Sequence, residues 1–540
     1  MAMDRRGFLR ESAVLAAGGA LSLAGGRTVY AQTRADTLLL VQEGGPNNLD
    51  ISQRGVNRPA NGASWNVYDR LVTFADKRLA DGGLTYDYST LRGELAERFE
   101  VSADGRVLTF HLRRNAVFHD GAPVTANDVK WSFDRAVSLP NSASKGQFAL
   151  GSMEDPGQFT VVDPYTFRIT LPRADRYTLP NLATHYAFIV NSELARKNAT
   201  AADPWAADWL KQNVAGGGAY KVESWQPGKQ LVLARHDGWK SGPLPYFRRV
   251  ILQEIPEAGN RRALVERADA DVGQDLLAKD VVSIIDGKKL KVFSTPMANT
   301  LQFIALNCKM KPFDDVRVRR AIAYALPYDA ILRGAASGRG AKLYGAASGK
   351  PSSTEWPQPS PYSTNVAQAK KLLAEAGYPS GFSTTFSYSS ATASVDETVA
   401  ILVQEALAEI GVKVTLDKIP GAQILGKLQA KEVPMYAYQT AALLNDTDYF
   451  FRVFYHGSNG PWNFGNFVND EVTKLIDDAR WEPSAAKYDA MCRRMIEIAF
   501  EQVPLIPLWQ PMLDFVAQPS LTGYKYWFHR QLDVRPLKRV

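Results

Sequence analysis

A chain of 540 residues exceeds what one hydrophobic core ordinarily serves, so two or three domains are expected. Its 45% hydrophobic and 22% charged residues fit a folded globular protein and exclude a disordered or fibrous one. The net charge is +7, but Lys and Arg are scattered rather than blocked, which argues against a nucleic-acid-binding surface.

The first element is DRRGFLRESAVLAAGGALSLAGG, from Asp4 to Gly26. Arg5, Arg6 and Arg10 precede a short run rich in Ala and Gly, and small residues follow up to Val29-Tyr30-Ala31. The run falls short of the roughly 20 apolar residues that a spanning helix needs. Its layout is that of a removable export signal, and Arg-Arg-Gly-Phe-Leu-Arg resembles the twin-arginine type that a receptor reads. Residues 1–31 are therefore expected to be removed, and the chain to fold in the cytoplasm and work in the periplasm. No Cys lies near the break, so no lipid anchor is expected. The two cysteines, Cys308 and Cys492, leave a disulfide open. Cys492 sits in YDAMCRRMIEIAF at helical apolar spacing and reads as a small buried hydrophobe.

TLLLVQEGGPNNLD is a strand that ends in a Gly/Pro/Asn loop. In LAERFEVSADGRVLTFHLRRNAVFHDGAPVTANDVKWSFDRAV, Phe99 and Val101 open a strand and Asp104-Gly105 turns it back. Leu108, Phe110 and Leu112 then alternate with polar positions, and Asp120-Gly121 makes a second turn. Thr125 caps a helix whose Val129, Phe133 and Val137 share one face. FTVVDPYTFRITLP is a hairpin that turns at Asp163-Pro164.

GGGAYKVESWQPGKQLVLARHDGWK reads as strand, turn and strand; RRVILQEI is a strand and NRRALVERADADVG a helix with a trailing loop. TLQFIALN is a strand. FDDVRVRRAIAYAL is a helix with Asp314 and Asp315 in its first turn, where the helix dipole favours acids. NVAQAKKLLAEAGYP is a helix stopped by Gly377 and Pro379. SVDETVAILVQEALAEIGVKVTL is a helix, a Gly411 stop and a strand, a unit of α/β layering. YDAMCRRMIEIAFEQVPLIPLWQ is a helix that runs into a Pro-flanked apolar strand. SGKPSSTEWPQPSPYST, at 348–364, is the best loop or linker.

Catalytic patterns are weak. GAASGK, at 345–350, has one residue too few between its glycines for a phosphate loop, and Pro351 stands where Ser or Thr must hold magnesium. There is no GxSxG elbow. The six histidines lack close ligand spacing, and only His456 lies near the cleft expected below. Asp314-Asp315 and Asp477-Asp478 read as caps or solvated faces. No catalytic residue, metal or cofactor is expected.

Several of these blocks, in this order, resemble the family 5 extracellular solute-binding proteins, receptors of peptide/nickel/opine-type ABC importers. The blocks are 95–129, 216–239 (with Ala219 where the family usually has Pro), 307–326, 369–382 and 503–510. The resemblance implies an α/β, two-lobed periplasmic binding protein (type II, cluster C) with an additional inserted domain and no catalysis. Residues 32–70, 186–299 and 509–540 would form lobe I, 71–185 the inserted domain, and 300–508 lobe II. Hinge strands would cross near TLQFIALN and VPLIPLWQ, and a ligand would bind between the lobes. The implied partners are a small-molecule ligand and an ABC permease and ATPase, with the chain a monomer and no nucleic acid. The alternatives are a sensor or chaperone of the same fold, or a receptor for a glycoside or a nickel chelate.

Family pockets draw on three places. The loop after Leu49-Asp50 offers Arg54, Gly55 and Val56, with Arg54 suited to a ligand carboxylate or phosphate. The region after the signature helix offers Lys145. AALLNDTDYFFRVFYHGSNGPWNF offers Leu443, Asn445, Asp446, Asp448 and Trp462. Peptide-binding members hold the peptide ammonium with an Asp in that segment. Aligned on Phe450-Phe451, this chain has Leu443 there, and Gln439 and Thr440 where family tryptophans stand. That departure favours a ligand without a free amine, or one with net negative charge.

Overall fold

The computed structural model describes residues 35–79, 82–140, 142–458 and 462–540. The export signal expected at 1–31 lies outside the described residues. Two large sheets organise the chain. The first has seven strands, in the order Lys291–Pro296, Met512–Ala517, Val272–Gly273, Thr37–Gln42, Arg249–Glu254, Gln230–Arg235 and Tyr220–Gln226. Thr37–Gln42 runs parallel to both its neighbours, and the pairs outside them are antiparallel. Leu38, Leu40 and Val41 on this strand are fully buried, as a parallel strand covered on both faces requires.

The second sheet has six strands, in the order Ala341–Lys342, Leu505–Gln510, Thr300–Leu306, Met435–Ala441, Ser383–Ser389 and Lys413–Ile419. Every residue of Thr300–Leu306 is buried, which accounts for the unbroken apolar run in TLQFIAL. One core holds Ile331, Val399 and Val403 from helices Tyr328–Ala336 and Ala393–Ala408. A second holds Phe450, Ile476 and Ile496 from helices Thr447–Phe454, Asp470–Ala479 and Ala485–Gln502.

The signature block folds as its pattern predicts. Ala96–Val101, Val107–Leu112, Thr166–Thr170 and Phe159–Asp163 form an antiparallel sheet of four. Leu108, Phe110 and Leu112 pack in one core with Val129, Phe133 and Val137 of helix Ala126–Ser138. The backbone N–H and hydroxyl of Thr125 each donate to Asp128 Oδ2 at 2.9 Å, closing the cap. Gly105 turns the hairpin at φ +70°.

One expectation needs amendment, and two that were left open are settled. The helix after FDD begins at Val316, so Asp315 is its N-cap, accepting from Arg317 N at 2.8 Å, and Asp314 lies outside it. The segment 348–364 is a loop but links no domains. It starts and ends within the half of the chain built on the second sheet, and Trp356, Gln358, Ser360 and Tyr362 are buried there. Tyr362 donates to Phe500 O at 2.8 Å, so its aromatics cover a core rather than bridge two bodies. Cys308 and Cys492, for which a disulfide was left open, are both free thiols.

The C-terminal tail returns to the start of the chain and is locked there by buried charge. Glu94 receives Arg70 at 2.7 Å and Arg535 at 2.7 Å, and Arg535 also holds Asp533 at 2.8 Å. The Arg70 guanidinium lies 3.6 Å over the ring of Trp65. The surrounding arginines hold the Glu94 and Asp533 carboxyls below their ordinary range despite burial.

Candidate functional site

The chain passes between the two large sheets at two adjacent points. Lys291–Pro296 in the first sheet continues into Thr300–Leu306 in the second, and Leu505–Gln510 in the second continues into Met512–Ala517 in the first. The two crossing segments pair antiparallel on both sides of the break. At the break Met297 N donates to Pro511 O at 2.8 Å, and Gln510 Nε2 donates to Met297 O at 2.8 Å. The two short crossovers thus run side by side and are hydrogen-bonded to each other between the sheets.

Beside the crossovers lies a cavity of about 500 Å³ whose wall includes Gln42, Glu43, Arg58, Asp275, Asp514 and Arg530. A neighbouring cavity of about 200 Å³ shares Arg58, Asp275, Asp514 and Arg530 and adds Gln439, from the second sheet. Both lie off the carboxyl end of the parallel strand Thr37–Gln42, where open α/β sheets place their ligands.

Local chemistry fixes this wall. Asn57 caps helix Arg58–Val67, accepting from Ala60 N at 3.1 Å, and donates to Gly45 O at 2.8 Å, which ties the loop to the strand end. Farther along the loop, Arg135 of the signature helix holds the buried Asp50 at 2.6 Å and donates to Ser52 Oγ at 2.9 Å. At the other end of helix Arg58–Val67, a Cβ on Gly216 would stand 2.0 Å from Val67 O, and one on Gly218 2.6 Å from Val67 C. The glycines of GGGAY are there because backbone packs on backbone. Asp514 is held by Arg339, which also donates to Ser294 Oγ at 2.7 Å.

The residues expected from sequence fall elsewhere. Arg54 and Gly55 are exposed and Val56 packs against the core of the first sheet; none of the three lines either cavity. Gly55 turns at φ +80° and its carbonyl accepts from Asn47 Nδ2 at 2.9 Å. Lys145 is exposed on the short helix Ala143–Ala149. Trp462 is 40% exposed, its ring edge-on to Phe464 at 5.9 Å. Leu443 packs beside the second core and Asn445 is half-buried.

Asp446 and Asp448 meet tyrosines from the first third of the chain. Tyr88 donates to Asp446 Oδ2 at 2.6 Å; Tyr177 donates to Asp448, as does Tyr488 at 2.7 Å. The Arg176 guanidinium lies 3.4 Å over the ring of Tyr488, and Arg480 pairs with Asp175 alongside. Burial, reinforced by the Asp448 charge, pushes the Asp446 carboxyl up to about 7. This cluster ties Tyr88, Asp175 and Tyr177 to the half of the chain built on the second sheet, and the segment just before it is bonded to the crossover residue Asn299, whose carbonyl accepts from Ala442 N at 3.0 Å.

The cavity-lining Gln42, Arg58, Asp275, Asp514 and Arg530 were not singled out from sequence. Arg58 stands two residues past the candidate loop positions, at a Pro-marked helix start that the pattern did contain. Arg530 lies in WFHRQL, which has no local periodicity to mark it. Among the described residues, no group of three His, Cys, Asp or Glu side chains is arranged to hold a metal. His456 instead faces Asp477 at 3.3 Å and Ser458 Oγ at 2.7 Å. Among the described residues, no helix is long and apolar enough to cross a membrane.

Known proteins are similar to this chain in sequence and architecture. The chain is 26% identical over 504 residues, 92% of it and 93% of the relative, to the probable D,D-dipeptide-binding periplasmic protein DdpA of Escherichia coli K12. It is 26% identical over 470 residues, covering 85% of it and 88% of the relative, to the glutathione-binding protein GsiB of Salmonella choleraesuis. The solved structure of the binding protein AgaA from A. tumefaciens R10, in complex with agropinic acid, matches with a TM-score of 0.73 and 25% identity, covering 93% of this chain and 99% of that one. The model of the bacterial extracellular solute-binding proteins, family 5, matches residues 90–496, three-quarters of the chain, and the protein therefore belongs to that family of solute-binding proteins.

Proposed function

We propose that this solute-binding protein is the periplasmic receptor of an ABC importer, a monomer that captures a small polar solute between two lobes and hands it to the permease–ATPase complex. Lobe I comprises 32–70, 186–299 and 509–540, lobe II comprises 300–508, and 71–185 is an inserted domain. Residues 1–31 direct export by the twin-arginine route. The protein performs no chemistry on its cargo.

The single observation that carries the reading is the pair of tied strand crossovers beside a 500 Å³ cavity. The wall of that cavity lies within lobe I, and Gln439 of lobe II lines the adjoining 200 Å³ cavity. A solute that extends from one into the other stabilises the closed state by the lobe II contacts it lacks in the open one. The lobes then present one composite surface, and opening on the permease releases the cargo. The ligand class is a peptide-like or opine-type compound. Support comes from relatives described as binding glutathione and a D,D-dipeptide, and from the structural match in complex with agropinic acid.

Native mass spectrometry of gently purified protein beginning at Gln32, against a denatured control, tests this. A retained adduct of a few hundred daltons, lost on denaturation, is expected. No adduct, together with no thermal shift across peptide, opine, sugar and nickel-chelate panels, would overturn the reading.

A further inference from the structure

The cavity beside the crossovers is lined by two arginines with no carboxylate partner among the described residues, Arg58 exposed and Arg530 half-buried. Arg58 is the first residue of helix Arg58–Val67, and Arg530 projects from the C-terminal tail; both line both cavities. Among the described residues, no carboxylate comes within 4.0 Å of either guanidinium, whereas Arg70, Arg135, Arg339, Arg480 and Arg535 all have carboxylate partners. Arg530 Nη1 reaches the thioether of Met297 at 3.8 Å, a weak acceptor on a crossover residue.

Arg530 is also held in an unfavourable backbone state. Its φ is +59°, a left-handed conformation in which a residue with a Cβ is strained. The flanking residues impose it: Trp527, Phe528 and His529 are buried, Trp527 Nε1 donates to Asp533 Oδ2 at 3.1 Å, and Arg530 N closes a turn on Trp527 O at 2.7 Å. The tail thus spends conformational strain to aim a cation at the cavity. Burial and then the neighbouring Arg58 charge bring the Arg530 guanidinium down to about 10, so two like charges face one space. The acids on the same wall do not relieve this. Asp514 is taken by Arg339, Asp275 Oδ2 accepts from Glu43 N at 3.2 Å, and Glu43 is exposed.

We propose that Arg58 and Arg530 form an anion clamp, and that the solute enters with a carboxylate group held between the two guanidiniums. The clamp rests on the receptor reading above and names the ligand class: an organic acid, or a peptide or amino-acid derivative docked by its carboxylate. Because Arg530 touches Met297 at the crossover, filling the clamp couples directly to the hinge.

The test compares the unaltered protein with Arg58→Gln/Arg530→Gln and with Arg530→Lys, all beginning at Gln32. Melting in ligand-free buffer confirms that each variant folds. Solute released by heat from equal amounts is quantified by mass spectrometry and treated with a carboxylate-esterifying reagent. The proposal expects a solute that is esterified, carried at least tenfold less by the double variant and partly recovered by Arg530→Lys. Equal carriage by the double variant, or a solute with no carboxylate, overturns the clamp while leaving the receptor intact. If the unaltered protein carries nothing, calorimetric titration with succinate and with uncharged succinamide decides. Binding of succinate alone, lost in the double variant, supports the clamp; no preference for succinate, or none lost, overturns it.

Discussion

Asp446→Asn isolates the electrostatics of the contact between Tyr88 and the segment after the second-sheet strand Met435–Ala441. The carboxyl is raised from 3.8 to about 7, first by burial and second by Asp448, while Tyr88 and Arg176 oppose the rise. A folded-state value above the unfolded one means that the folded protein binds the proton more tightly. The stability this contributes is full below about pH 4 and is lost as pH rises through about 7. For a shift of this size, linkage gives a loss of about 2–3 kcal/mol between pH 5 and pH 8. Asparagine keeps an acceptor for Tyr88 and carries no proton to lose. Urea denaturation of both proteins at pH 5, 6, 7 and 8 reads the difference. At pH 5 the two should be nearly equal; by pH 8 the asparagine variant should be the more stable by about 2–3 kcal/mol. Asp69, pushed up to about 6 by burial, drifts in the same direction in both proteins and cancels. Tyr177, Tyr488 and Asp448 also face the site and stay unchanged in the comparison. A gap that does not vary between pH 5 and pH 8 would refute the reasoning.

Other sites carry sharper structural predictions. Glu94→Ala leaves the buried Arg70 without its ion-pair partner and Arg535 paired with Asp533, and should cost about 3–5 kcal/mol in urea denaturation. Gly218→Ala drives a Cβ to 2.6 Å from the backbone at Val67; a loss of about 1–3 kcal/mol is expected, and an unchanged melting temperature would contradict the close packing. Thr125→Ala opens the cap on the signature helix, so a loss of about 1 kcal/mol should appear, with Thr125→Ser largely sparing it. Arg480→Ala removes the partner of Asp175 across the two halves and should weaken solute retention in native mass spectra.

What was legible in the sequence was local. The hairpin at Asp104-Gly105, the cap at Thr125 and the apolar stripe of Val129, Phe133 and Val137 are each set by residues a few positions apart, and each folds as read. Thr300–Leu306 was legible as a strand too, because a strand buried on both faces leaves a continuous apolar run such as TLQFIAL, while its crossing between sheets was implied only by the family resemblance. The site depends on distant pairings. Tyr88 reaches Asp446 across 358 positions, and Tyr177 reaches Asp448 across 271. Arg530 becomes conspicuous only when its neighbours bury and its partners can be counted, and neither is written in WFHRQL. Arg54 was the natural candidate from its loop, yet Asp50 and Asn57 anchor that loop so that Arg58 is the arginine on the cavity wall.

The central claim is a pair of lobes that closes on its solute about two strand crossovers, and small-angle X-ray scattering tests it most directly. The protein would be measured as purified, after stripping by unfolding and refolding, and after return of its own heat-released small-molecule fraction. The account predicts that stripping increases the radius of gyration and that the returned fraction restores the compact value. Identical scattering in all three states, with solute demonstrably removed and rebound, would contradict it.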